Sequence, residues 1–172
     1  MKRDNFPLFA CIFLKLCYYN SMDRIKNKVK LKVKNFITEN ALIKSGDSVL
    51  LGLSGGPDSV LLLIVLSELE KTLGFKLYAL HVNHEIRGDE ALRDQEFSRE
   101  MAERFSVPFK ASSVDVPEFS RANGLTLEEG ARIERYRILE EGRREIESRY
   151  GRCLIAVAHH MDDQAETVIH NL

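Results

Sequence analysis

Apolar residues fall along this chain in two patterns. Short, nearly unbroken runs mark buried strands: Val49 to Leu53, Lys76 to His84 and Leu154 to Ala158, with a weaker run from Val107 to Val114 broken early by Pro108. Between them lie longer stretches with apolar residues three and four positions apart, the spacing of a helix that buries one side. Val60 to Leu66 carries leucines too closely set for an alternating strand. Ala91 to Phe105 repeats through Leu92, Phe97, Met101 and Phe105. Leu127 to Tyr150 is a long charged helix with Ala131, Ile133, Tyr136, Leu139 and Ile146 for a buried side. Upstream, Asp23 to Asn40 shows helical spacing through Ile25, Val29, Val33, Phe36 and Ile37, and Asp162 onward starts another helix. Strand and helix alternate, so the expected fold is α/β: a doubly wound parallel sheet with helices on both faces and ligands at the C-terminal strand ends.

The polar clusters fall at those strand ends. Ser54-Gly55-Gly56-Pro57-Asp58-Ser59 joins the first strand to its helix. A strand, paired glycines and a helix N-terminus form an anion site, because free backbone N–H groups and the helix dipole both favour negative charge. Ser54 and Ser59 add hydroxyl donors. The run lacks the Gly-Lys-Ser/Thr ending of the kinase-type phosphate loop. An acid facing polyphosphate calls for a divalent cation between them, so Asp58 reads as a Mg²⁺ ligand. A glycine-rich turn with Asp58 or Ser59 as helix cap explains the same residues structurally.

The second strand ends in His81-Val82-Asn83-His84, followed by Arg87 and Gly88. Alternation places His81 and Asn83 on one face of the sheet and Val82 and His84 on the other. Arg87 suits a phosphate clamp, while ordinary strand-end polarity accounts for the group equally. After the fourth strand come His159-His160-Met161-Asp162-Asp163-Gln164-Ala165-Glu166-Thr167. Asp163 and Glu166 can share one side of a helix start and a cation, or can be a capping box. Capping leaves the adjacent histidines unexplained.

Composition narrows the setting. The chain has 172 residues, 44% hydrophobic and 30% charged, and a net charge of −1, which suits one soluble domain and gives no global field for nucleic acid. Basic residues nevertheless crowd the N-terminal side (Arg24, Lys26, Lys28, Lys30, Lys32, Lys34, Lys44), where they fit a solvated helix face or contacts to RNA phosphates. Cys11, Cys17 and Cys153 form no C-x-x-C pair and no zinc spacing, as expected for free thiols in a reducing, cytoplasmic compartment. The apolar run Phe6 to Tyr19 is too short for a membrane span, contains Lys15 and lacks a cleavage site. We therefore expect residues 1–21 to be an over-extended or disordered segment, and 22–172 to form the domain. The helix ending at Leu172 has no cap, so the domain reads as incomplete at its C-terminus.

The six-residue loop resembles the signature of the PP-loop ATP pyrophosphatases, which cleave ATP between the α- and β-phosphates. The loop together with His81-Val82-Asn83-His84, Arg87-Gly88, Arg93-Asp94, the Leu127-Glu128-Glu129-x-Ala131-Arg132-x-x-Arg135-Tyr136 stretch and the His159 to Thr167 cluster is similar to the tRNA(Ile)-lysidine synthetase family. That resemblance implies an adenine nucleotide alpha hydrolase-like fold. It also implies ligation of free lysine to C2 of the wobble cytidine of tRNA(Ile) with a CAU anticodon, through an adenylated intermediate and with ATP and Mg²⁺. On this basis Ser54 to Ser59, His81 and His159 bind the nucleotide, Asp58 and Asp163 hold the metal, and Asp58, Arg87, Asp163 and Glu166 carry the chemistry. A tRNA thiolation enzyme of the same superfamily and a non-catalytic ATP-binding fragment are the alternatives.

Overall fold

The computed structural model describes residues 26–86 and 88–158. A helix at residues 26–39 (α1) leads into β1 (Ser48–Gly52), α2 (Pro57–Leu73), β2 (Lys76–Asn83), α3 (Asp89–Arg104), β3 (Phe109–Ser113), α4 (Val116–Asn123), α5 (Leu127–Tyr150) and β4 (Cys153–Val157). The strands form one parallel sheet in the order β3-β2-β1-β4. The chain thus winds outward from β1 through β2 to β3, then crosses back to lay β4 on the other side of β1. The strand order reverses at β1, so the place between β1 and β4 is the topological switch point of the described sheet, where sheets of this kind hold their ligands.

Both faces of the sheet are covered, as the near-continuous apolar strands require. Val49, Leu51, Leu77, Ala79 and Ala156 face the larger core with Leu63, Val65, Leu66 and Leu69 of α2, Ala102 of α3 and Ile37 of α1. Leu50, Leu80, Ile155 and Val157 face Ile138, Leu139 and Ile146 of α5. Each fully buried Leu or Ile contributes about 1.5–3 kcal/mol relative to exposure, so the unbroken runs are the main source of the fold's stability. Helix α5 comes very close to the sheet at Gly142, where a Cβ would stand 3.1 Å from both Leu50 and Leu80. No described helix is long and apolar enough to cross a membrane.

Some helix faces differ from the periodicity. In α3, Leu92 and Phe97 are exposed and the buried positions are Ser98 and Ala102. Their small side chains let the helix lie close to the sheet and loop, and counting large apolar residues cannot find such a face. Ile133 and Phe36 likewise point outward, whereas Ile138 is buried. Helix α4 was not evident from apolar spacing. It is eight residues long and is set instead by its ends: Asp115 accepts from Glu118 N–H at 2.8 Å, and Gly124 closes it in the left-handed region. Of the basic run, Lys26 and Lys30 both pair with Glu68 of α2, at 3.0 and 2.7 Å. Those two charges bind α1 to α2.

Candidate nucleotide-binding site

After β1 the chain turns sharply and enters α2 with Gly56 as its extended N-cap and Pro57 at the first helical position, where a missing N–H costs nothing. Gly55 takes φ +86°, a backbone that L side chains avoid. A Cβ there would also meet the Asp94 carbonyl oxygen and Ser98 Oγ, each at 3.2 Å. Both glycine features are therefore required, one by conformation and one by the packing of α3. The turn is closed by its own hydroxyls. Gly56 N–H reaches Ser54 Oγ at 3.4 Å, Ser54 donates to Ser59 at 3.1 Å, and Ser59 donates back to the Gly56 carbonyl at 2.9 Å. The first intrahelical bond is Val60 N–H to Gly56, so the N–H groups of the first turn precede the helical ladder, at its positive end. No side chain caps this helix, and Asp58 sits half-buried in the first turn. Asp58 and Ser59 are thus not the N-cap; that position belongs to Gly56.

Beside the loop lies a cleft of about 460 Å³ at the switch point, lined by Gly52, Leu53 and Ser54 of β1 and its turn, Val157 of β4 with Ala158 after it, and the end of β2. His81 and Asn83 reach it from β2, His84 from just beyond that strand, Asp94 from α3 and Arg135 from α5. His81 is buried, and its Nδ1 lies 2.8 Å from the Leu53 carbonyl, so the ring ties the end of β2 to the start of the phosphate loop. Burial lowers its pKa, partly opposed by that carbonyl and by the charge of Asp94. Its partner along the strand, Asn83, is also buried and accepts from Glu85 N–H at 3.0 Å, holding Glu85 at φ +54° where the chain leaves the sheet. His84 faces the opposite way, as alternation requires. Burial, the charge of Arg135 and His81 together push its pKa down to about 4, and its Nδ1 is buried with no hydrogen-bond partner among the described residues. Burial also lowers the pKa of Arg135.

Of the expected nucleotide-site residues, Ser54 and His81 line this cleft, and Gly55, Gly56, Pro57, Asp58 and Ser59 follow Ser54 into the start of α2. Arg87, His159, Asp163 and Glu166 lie outside the described residues. Among those described, no three His, Cys, Asp or Glu side chains form a metal cage. One loop carboxylate beside a phosphate site nonetheless suits Mg²⁺, which commonly takes one or two protein carboxylates and completes its shell with phosphate oxygens and water. Sequence reasoning passed over Asp94 as part of the cleft wall and Ser98 entirely. Their spacing with Ala102, four residues each, was the available signal.

Comparison with known proteins agrees with this geometry. The PP-loop domain family matches residues 25–172. A tRNA(Ile)-lysidine synthase of Clostridium perfringens is 44% identical over 141 residues, covering 82% of this chain and 29% of that protein. The protein of the same name from Clostridioides difficile is 44% identical over 138 residues, covering 80% of this chain and 29% of its own length. The chain thus spans about three-tenths of these curated relatives. Among solved structures, a U34-tRNA thiolase from Methanococcus maripaludis superposes with a TM-score of 0.60 at 20% identity, covering 80% of this chain and 46% of that one. An NH3-dependent NAD synthetase from Campylobacter jejuni gives 0.57 at 20% identity, covering 81% and 58%. These two distant likenesses bear on the fold alone, and they share its α/β sheet. With its glycine turn, its cleft at the switch point and a family match over all of its described residues, the chain belongs to the PP-loop domain family.

Proposed function

We propose that this chain is the ATP-binding part of a cytoplasmic tRNA(Ile)-lysidine synthetase, which ligates free lysine to C2 of the wobble cytidine of tRNA(Ile) with a CAU anticodon. The observation that carries this reading is a phosphate loop opening onto a cleft in a chain 44% identical over 141 residues to a protein of that name. The polyphosphate of ATP would lie on the Ser54–Ser59 turn, and its adenosine in the cleft beside His81. The cytidine C2 oxygen attacks the α-phosphorus and pyrophosphate leaves. The ε-amine of lysine then attacks C2, loses a proton and expels AMP. Adenylation supplies a leaving group that neutral cytosine lacks, and the protein's contribution is positioning and charge compensation. Mg²⁺, when bound, would neutralise polyphosphate charge, with Asp58 and Asp163 as its carboxylates. Arg87 and His159 are proposed at the nucleotide, and Asp163 with Glu166 at the lysine amine.

The thiolation alternative needs reactive sulfur. Cys153 does not suit that chemistry: it is buried at the start of β4, and burial pushes its thiol up to about 11. The deciding assay uses the full-length protein and follows both pyrophosphate release from ATP and labelled lysine entering tRNA(Ile). The wild type should do both. Asp58→Asn should lower both by about two or more orders of magnitude at unchanged melting temperature. Asp163→Asn, which keeps a capping oxygen and removes a charge, should abolish lysine transfer. Pyrophosphate release with no lysine incorporation would move the protein to another PP-loop activity, and a near-normal Asp58→Asn would leave that residue only a helix-start acid.

A further inference from the structure

Ser98 stands out once the phosphate loop is in place. It lies on the inner side of α3, is fully buried, and its Oγ has no hydrogen-bond partner among the described residues. A helical serine ordinarily bonds the carbonyl one turn back, but this hydroxyl does not. A buried hydroxyl without a partner is costly, so it calls for a reason. The same oxygen lies 3.2 Å from the place a Cβ on Gly55 would occupy, beside the Asp94 carbonyl at the same distance. Gly55 is the left-handed residue of the phosphate turn. The neighbouring hydroxyls are committed elsewhere: Ser54 and Ser59 bond each other and the Gly56 carbonyl. A donor-acceptor group is therefore sealed against the one backbone segment whose N–H groups must turn toward an anion.

We propose that Ser98 is a positioning residue of the phosphate loop, its hydroxyl hydrogen-bonding the backbone of the Ser54–Gly56 turn as that turn closes on a polyphosphate. This rests on the nucleotide-binding reading above. A hydroxyl rather than a methyl at this contact lets the turn adjust its peptide orientation without leaving a buried polar group unmatched. The adjacent Asp94 carbonyl fixes how near α3 stands, so the bond acts across a set distance.

The test is calorimetric titration of the full-length protein and its Ser98→Ala and Ser98→Cys variants with ATP, inorganic pyrophosphate and adenosine, alongside thermal melting. For Ser98→Ala we expect affinity for ATP and pyrophosphate to fall about three- to twelve-fold, within the range of one lost hydrogen bond. Adenosine binding should be unchanged, and melting unchanged or higher, because an unmatched buried hydroxyl has gone. Ser98→Cys, with a weaker donor of similar shape, should fall between. ATP and pyrophosphate binding by Ser98→Ala within two-fold of wild type would overturn the proposal. So would equal losses for adenosine and pyrophosphate with lower melting, which mark a packing role. Should the wild type bind neither ATP nor pyrophosphate, the nucleotide reading itself fails and this proposal with it.

Discussion

After β1 the chain turns through Ser54–Gly56 with little side-chain substance, whereas β2 ends in His81, Asn83 and His84, three polar side chains largely withdrawn from water. The first end works through backbone. Its shape comes from Gly55 at φ +86° and a closed circuit of serine hydroxyls, and its electrostatics come from the start of α2. The second end works through side chains. His81 reaches 2.8 Å across to the Leu53 carbonyl, and His84 is turned to the other face beside Arg135. The difference has a physical cause: an oxyanion is best met by several N–H groups at once, which only an unobstructed turn can present. Holding that turn at a fixed place relative to the sheet requires rigid groups behind it, and a buried ring bonded to the preceding carbonyl does so.

If this contrast is right, the largest effect belongs to Gly55→Ala. The left-handed backbone alone costs about 1–2 kcal/mol for an L side chain, and the new Cβ would press on a backbone oxygen that cannot swing aside. Phosphate affinity should drop more than about tenfold, measured by pyrophosphate titration, with melting also lowered. Near-wild-type binding would show that the turn tolerates another geometry and that its glycine is incidental.

A smaller loss is expected for His81→Ala. It removes a buried ring and leaves the Leu53 carbonyl without it, a cost of about 1–3 kcal/mol in chemical unfolding. Phosphate affinity should decline only through displacement of the loop, and so less than in Gly55→Ala. A steeper binding loss than that of Gly55→Ala would reverse the comparison and give His81 direct contact with the ligand.

The smallest effect is one of pH. The folded pKa of His84 is about 4, against an ordinary 6.5. Above pH 6.5 both folded and unfolded forms are neutral and the contribution of His84 is intact. As pH falls from 6.5 toward 4, the unfolded histidine takes up a proton that the folded one refuses, and stability drains away. His81, also lowered, acts in the same direction. The free energies of urea unfolding at pH 7 and pH 5 should therefore differ less for His84→Gln than for wild type, by about 1–2 kcal/mol. Equal pH dependence in the two proteins would mean that the ring protonates freely in the folded state.

The sequence by itself determined most of the framework. Uninterrupted apolar runs with no polar alternation can be stable only when covered on both sides, so parallel strands followed from Val49 to Leu53 and Leu154 to Ala158 directly. The glycine turn after β1 was legible for a similar reason: its shape depends on local residue types, two glycines and a proline in order. Helix faces were less legible, because burial depends on what lies opposite. Leu92, Phe97 and Ile133 had the right chemistry for a core yet stand exposed among the described residues, while Ser98 was buried by its place beneath Gly55. Strand order decided that β4 should lie beside β1, which opened the cleft and brought Asp94 and Arg135 to it from two different helices. Only tertiary structure could set the bond of His81 to Leu53, 28 positions apart, or the low pKa of His84. Both arise from long-range packing, which excludes water and chooses each group's neighbours, and neither is written in local spacing.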